Sequence, residues 1–180
     1  MYAKRLPNDR AYFLETLSAG IVATKLPEQE QRKAIASIFR VPEDKRLILS
    51  RLFMPDLTKI HDADLRIRAQ LRCAGTALAV ERFRQVHGRW PNELAEIPKD
   101  ILAAVPLDPF DGKALKYVRR ADGVTVYSIG PDETDDGGTI LDGGPNKLPG
   151  QDIGFRLYDV NQRGLPPLPR DEPVGERDEP

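Results

Sequence analysis

Between Asp62 and His87 the chain runs DADLRIRAQLRCAGTALAVERFRQVH without a proline and stops on Gly88. Ala, Leu, Arg and Gln dominate this stretch; they lose little side-chain freedom in a helix, and Gly readily turns a chain out of one. The spacing predicts a helix over 62–87, with acids in its first turn and His87 in its last, each at the end the helix dipole favours. Ile67, Leu71, Ala74 and Leu78 share one flank, and Ala79, Phe83 and Val86 widen the arc. So broad an apolar face needs cover, and the rest of the chain must supply it.

The segment that follows reads as that cover. Arg89-Trp90-Pro91-Asn92 makes a turn, Asn92 is placed to cap a short helix through Ile97, and Pro98 closes it. LDPFDG, residues 107–112, has the chemistry of consecutive turns. Three strand-like runs come next, Ala114–Arg119, Val124–Ile129 and Ile153–Tyr158, the first two joined by the hairpin signal Ala121-Asp122-Gly123. A long helix followed by antiparallel strands predicts an α+β fold, a small sheet packed on a spine helix.

Ahead of the spine, residues 9–54 read as two or three short helices, with Asp9 and Pro27/Glu28 as starts and Pro42 and Pro55 as breaks. Phe13, Leu17 and Ile21 recur at helical spacing, as do Ile35, Ile38 and Phe39, and Leu47, Leu49 and Leu52 follow. The division expected is a helical extension over 1–60, a domain over 61–160 and a tail over 161–180. The tail, with its PPLP, is rich in proline and charge and reads as extended.

Residues 1–70 hold 13 Lys/Arg against 9 Asp/Glu, and residues 120–180 hold 6 against 13. Neither imbalance argues for nucleic acid. A single cysteine, Cys73, allows no internal disulfide and no thiolate cluster. The start, MYAKRLPNDRAYF, has neither a secretory apolar core nor a spanning helix, so the chain as given reads as soluble.

Acid concentrates between the last two strand-like runs. Asp132, Asp135, Asp136, Asp142 and Asp152 sit among Gly and turn residues, with Lys147 as the only Lys or Arg in the stretch. Oxygen-rich loops of this kind suit a hard cation such as calcium. Asp132-x-Thr134-x-Asp136-Gly137 imitates the opening of an EF-hand loop, but Gly143 falls where that loop needs a bidentate Glu. The repeated Asp-Gly-Gly also misses the spacing of calcium-binding β-rolls. A non-EF calcium clamp and a solvated loop of local Asp turns both stand open.

Four pieces in order, ALAVERFRQVHGRWPNEL (77–94), VPLDPFDGKALKYV (105–118), VYSIGPD (126–132) and QDI (151–153), resemble the globular part of type II secretion pseudopilin G and related type IV pilin-like proteins. The resemblance covers residues 71–158, about half the chain. It implies an N-terminal helix carrying a small antiparallel sheet, calcium clamping the loop between the last two strands, assembly with other protein subunits in a periplasmic or cell-envelope pseudopilus, and no catalysis. Asp132 and Asp152 match the family's ligand positions; Asp135, Asp136 and Asp142 lie in the inserted part of the loop. No prepilin leader or apolar anchor precedes the helix, so membrane association is expected only through an anchor absent from this chain. The chain is then a piece of an anchored protein or a soluble interaction module that reuses the fold, with residues 9–54 as its docking surface.

Catalytic motifs are missing: no P-loop, dinucleotide fingerprint, nucleophile elbow or zinc-spaced His pair occurs. Asp108 and Asp111 read as turn formers, His61 and His87 as non-catalytic, Cys73 as a mid-helix side chain and Trp90 as a plug at the helix–sheet junction. Metal-dependent hydrolysis at the acidic loop is the one enzymatic alternative, and it lacks a companion base.

Overall fold

The computed structural model describes residues 6–40, 47, 50, 52, 57–140 and 152–164. Among these, helices α1 (Leu6–Ala23), α2 (Glu28–Ile38) and α3 (Leu57–His87) precede strands β1 (Lys116–Arg120), β2 (Gly123–Ser128) and β3 (Ile153–Tyr158). The strands form one antiparallel sheet in the order β1-β2-β3, with β2 buried along its whole length between its neighbours. The fold is α+β. Tail residues from Leu165 onward, PPLP included, and Asp142 lie outside the described residues.

α3 is 31 residues long and begins at Leu57 rather than at Asp62. The two acids read as its first turn have other partners: Asp62 accepts from Arg32 Nε at 2.9 Å and Asp64 from Arg68 Nε at 2.8 Å. Its end is the expected one. Gly88 takes φ 69° and donates its N–H to the Arg84 carbonyl at 2.8 Å, while the His87 ring stacks on Phe83 with centroids 4.1 Å apart.

The covered face of α3 is only partly the predicted one: Ala79 and Phe83 are buried as expected, but the flank that begins at Ile67 is not. Ile67, Leu71, Leu78 and Val86 are exposed, whereas Leu65, Ala69, Cys73, Thr76, Ala77, Ala79, Val80 and Phe83 are buried. The helix is apolar on two sides, and the larger side chains of the outer stripe dominate a hydrophobicity count. The sheet selects the other side because small residues there, Ala69, Cys73, Thr76 and Ala77, let β2 and β3 come close. Thr76 meets its polar requirement locally, donating to the Arg72 carbonyl at 2.8 Å.

Two neighbouring clusters make the core. Cys73, Ala77, Val80 and Phe83 meet Trp90, Leu94, Ile97, Leu115, Val124 and Val126, and farther along α3 Leu65 and Ala69 meet Phe110 and Ile129. Trp90 is buried as expected, and its Nε1–H reaches Asp159 at 2.5 Å, which ties the turn after α3 to the end of β3. The short helix expected from Asn92 to Ile97 is a single 3₁₀ turn, Leu94–Glu96. Asn92 does not cap it by side chain; its backbone N–H donates to Glu96 Oε2 at 2.6 Å. β3 has the predicted bounds, while β1 and β2 are displaced by one or two residues because the connection is the tight pair Ala121-Asp122 and Gly123 already belongs to β2.

α1 starts at Leu6, so Asp9 lies inside its first turn. There it is buried, accepting the Ser50 N–H at 2.9 Å and the Ser50 hydroxyl. α2 follows Pro27 as expected and packs on α3 through charge. Glu28 receives Arg68 at 3.0 Å and Arg72 at 2.6 Å. Burial opposes the Glu28 charge, but the two guanidinium groups hold its carboxyl below the usual value. The partner surface of α2 is thus the N-terminal half of the spine, and α1 packs on α2.

Candidate metal centre in the acidic loop

The loop leaves β2 at Ile129 and re-enters the sheet at Asp152, one residue ahead of β3. Its departure is fixed by Asp108, which lies in the LDPFDG turn. The buried Asp108 carboxylate accepts the Phe110 N–H, the Ser128 hydroxyl and the Ile129 N–H, each at 2.9 Å. Burial raises the Asp108 carboxyl above its usual value despite these donors. Asp108 is therefore more than a turn former, since it joins that turn to the last residues of β2. Asp111 stays local and accepts the Lys113 N–H at 2.8 Å.

Past Gly130 the chain makes a turn in which Glu133 takes φ 57°. Asp132 is exposed and its Oδ1 accepts the Thr134 N–H at 3.3 Å. From the front of the chain, Arg32 Nη1 donates to the Pro131 carbonyl at 2.6 Å, and Glu133 lies 3.7 Å from Arg32 and 3.5 Å from Lys33. Asp135 is held by three donors: Lys116 Nζ at 3.0 Å, the Tyr127 hydroxyl at 3.0 Å and the Gly137 N–H at 3.0 Å. Burial works against the Asp135 charge, and Lys116 and its other donors win, leaving that carboxyl below the ordinary range. Arg120 reaches the Gly137 carbonyl at 2.5 Å. Cations distant in sequence, Arg32, Lys33, Lys116 and Arg120, thus surround a loop whose own stretch contains Lys147 alone.

Asp152 closes the loop. It is 4% exposed, and its Oδ2 accepts the Gly138 N–H at 2.7 Å while its Oδ1 is buried with no hydrogen-bond partner. Burial pushes the carboxyl up to about 6, with the Gly138 N–H opposing and the Asp135 and Asp136 charges adding to the rise. Gly138 takes φ 75° with the Tyr127 ring 3.0 Å from where a Cβ would stand, so only glycine brings that N–H to Asp152. Asp136 is exposed, and its carbonyl accepts the Thr139 hydroxyl at 2.8 Å.

The expected ligands therefore occupy different situations: Asp152 is buried with an open oxygen, Asp132 and Asp136 are at the surface, Asp135 is engaged by Lys116 and Tyr127, and Asp142 is outside the described residues. Among the described residues no three His, Cys, Asp or Glu side chains converge. Sequence reading missed Lys116, Tyr127, Gly138 and Arg32. The first two are cross-strand partners in the β1–β2 register, which an exact hairpin alignment reveals; nothing local points to Arg32.

The remaining candidates stand apart from the loop. Cys73 is buried, its Sγ lies 3.4 Å from the Ile153 carbonyl, and burial pushes the thiol up to about 12. His61 lines a cleft of about 310 Å³ with Arg32, Lys33, Ala36, Thr58 and Asp62; its Nε2 is buried without a partner, and burial lowers its pKa. Among the described residues no helix is long and apolar enough to cross a membrane. Compared with known proteins, the chain matches no family model, no curated protein and no solved structure.

Proposed function

We propose that the chain is a non-enzymatic, pseudopilin-like assembly domain of the cell envelope in which calcium clamps the loop between β2 and β3. The observation that carries the calcium reading is Asp152, a buried carboxylate with one oxygen unmatched by any donor. A carboxylate in that position is unfavourable until a cation or a proton meets it. The loop around it offers hard oxygens only, which fits calcium and not a thiolate- or imidazole-seeking metal. Asp152 would be the anchor, and Asp132 and Asp136 are exposed and able to turn toward it. Asp135 joins only by exchanging Lys116, and Asp142 is the remaining candidate. Calcium bound there supplies charge neutralisation and a tie across the loop, a structural task.

The spine helix, its Gly88 stop followed by Pro91, and the sheet packed on α3 support the pilin-like part; the cell-envelope location rests on the resemblance of residues 71–158. A ligand that binds only the folded state raises its melting temperature, so calcium should raise it and a chelator should return it. No shift with calcium together with no heat of binding in titration calorimetry sinks the clamp. Fractionation of cells making the full gene product tests the location, and a purely cytosolic product refutes it. A second reading, a soluble interaction module, is favoured by the exposed Leu14, Ile21 and Val22 on α1. Capture of a partner that Ile21→Asp abolishes, in a product found only in cytosol, is the outcome that selects it.

A further inference from the structure

β1 lays three side chains against the acidic loop. Alternate residues of a strand share a face, so Lys116, Val118 and Arg120 point the same way, and Tyr127 lies opposite Lys116 in the hairpin register. Arg120 holds the Gly137 carbonyl at 2.5 Å. The Tyr127 ring and Val118 lie 3.0 and 3.2 Å from where a Cβ on Gly138 would stand. Lys116 Nζ reaches Asp135 Oδ2 at 3.0 Å. One face of the hairpin thus carries residues 135–138.

Two carboxylates flank that stretch, and each is oriented through one of its oxygens. The successive amides of Gly137 and Gly138 donate to Asp135 Oδ1 at 3.0 Å and to Asp152 Oδ2 at 2.7 Å. The Tyr127 hydroxyl is a second donor to Asp135 Oδ1, at 3.0 Å. The other two oxygens differ. Asp152 Oδ1 is buried without a hydrogen-bond partner, whereas Asp135 Oδ2 has the Lys116 ammonium as its partner among the described residues. Neutral donors that fix one oxygen and leave the other available are how a ligating carboxylate is held ready. At Asp135 the available oxygen already has a cation, one tethered to β1.

This ion pair is open to exchange. The Lys116 and Asp135 side chains are 35 and 44% exposed, and ion pairs so close to water contribute little to stability. A monovalent ion brings the same charge as the ammonium and gains nothing by replacing it, whereas a divalent ion brings twice that charge. We infer that Lys116 competes with calcium for Asp135 Oδ2, and that this one residue sets how tightly the loop takes the ion. Lys116 keeps Asp135 in place without calcium, and it must swing toward solvent for Asp135 to serve as a ligand. The inference deepens the calcium reading and rests on it. It adds that the native loop binds more weakly than its oxygens allow.

Calcium titration calorimetry on the full chain, at fixed ionic strength, compares the native protein with Lys116→Met and Lys116→Gln, which lose the charge at a partly exposed position. Each variant should bind calcium about tenfold more tightly, with an unchanged circular dichroism spectrum, because one positive charge no longer opposes a divalent ion. Lys116→Arg keeps the charge and should bind as the native chain does. Lys113→Met removes a charge from a side chain that is 79% exposed, and should change affinity less than about twofold. In an Asp135→Asn background Lys116→Met should bring no tightening, because the shared acceptor is gone. Binding in Lys116→Met and Lys116→Gln but not in the native chain refutes the calcium clamp and leaves the competition standing. Native binding that both substitutions leave unchanged or weaken overturns the competition and leaves the clamp. Tightening that persists with Asp135→Asn overturns it as well, and no binding in any of these chains overturns both.

Discussion

Replacing Asp152 with asparagine separates charge from shape at the residue where the acidic loop closes. Burial lifts the Asp152 carboxyl from 3.8 to about 6, so the folded chain holds that proton more tightly than the unfolded chain does. The group therefore favours the fold fully below the unfolded value, and the advantage is lost as pH rises through about 6. Without a cation, a shift of about two units corresponds to about 3 kcal/mol of destabilisation at neutral pH. The asparagine side chain keeps an oxygen for the Gly138 N–H and carries no charge. Its amide nitrogen falls where Oδ1 has no partner, which returns about 1–2 kcal/mol of the gain. Asp152→Asn is thus expected to stabilise the calcium-free chain by about 1 kcal/mol at pH 7, a rise of about 2–4 °C in Tm for a chain of this size. With calcium about 100-fold above its Kd the order reverses, because the native protein gains about 2.7 kcal/mol and the variant gains nothing. Scanning calorimetry at about pH 5 and about pH 7, in chelator and in calcium, reads all four cells of this comparison. A variant that melts below the native protein in chelator at pH 7 refutes the electrostatic argument, and a variant that responds to calcium as the native protein does refutes the clamp.

Asp108→Ala removes the acceptor of two backbone N–H groups and a hydroxyl in a buried turn, and urea unfolding should show a loss of about 3–5 kcal/mol. Trp90→Phe keeps the ring in the core but leaves Asp159 without its indole donor; a loss of about 1–2 kcal/mol is expected in the same assay, with no change in calcium response. Arg32→Ala removes the α2 contact to Pro131 and leaves Glu133 with Lys33 alone, and hydrogen exchange should quicken selectively from Gly130 to Thr139 while the β2 amides keep their protection. The Cys73 thiol should resist a thiol reagent at neutral pH until the chain unfolds, and reaction at the rate of a free thiol would contradict its burial.

The elements of this fold were legible wherever local chemistry dictates them. The 62–87 pattern, the Gly88 stop, the Ala121-Asp122-Gly123 connection and the β3 run all specify their own geometry. The face of α3 was legible only at Ala79 and Phe83, since Ile67, Leu71 and Leu78 outweigh Ala69, Cys73 and Ala77 in hydrophobicity while the sheet requires closeness. Helix starts were misplaced for a related reason: Asp9 and Asp62 have the chemistry of first-turn acids, but tertiary partners, Ser50 and Arg32, claim their side chains. In the loop, composition marks the aspartates and their Gly neighbours. It cannot mark Asp152 as the buried one or Asp135 as the paired one, because burial and the approach of Lys116 and Tyr127 are set by strand register and by the closeness that Gly138 permits.

Arg32 touches three parts of the chain at once, standing on α2 with Asp62 of the spine on one side and Pro131 and Glu133 of the loop on the other. An event that moves α2 off the spine must break both sets of contacts, and an event that tightens the loop strengthens one of them. A partner on α2 and a cation in the loop, were both bound, would act on the same Arg32 contacts, and any coupling between them would be reciprocal. Cutting the chain before the spine to isolate the helix–sheet unit would remove two of the cations beside the loop, Arg32 and Lys33. The front helices are in this sense a part of the loop's environment, although about 100 residues separate Arg32 from Pro131.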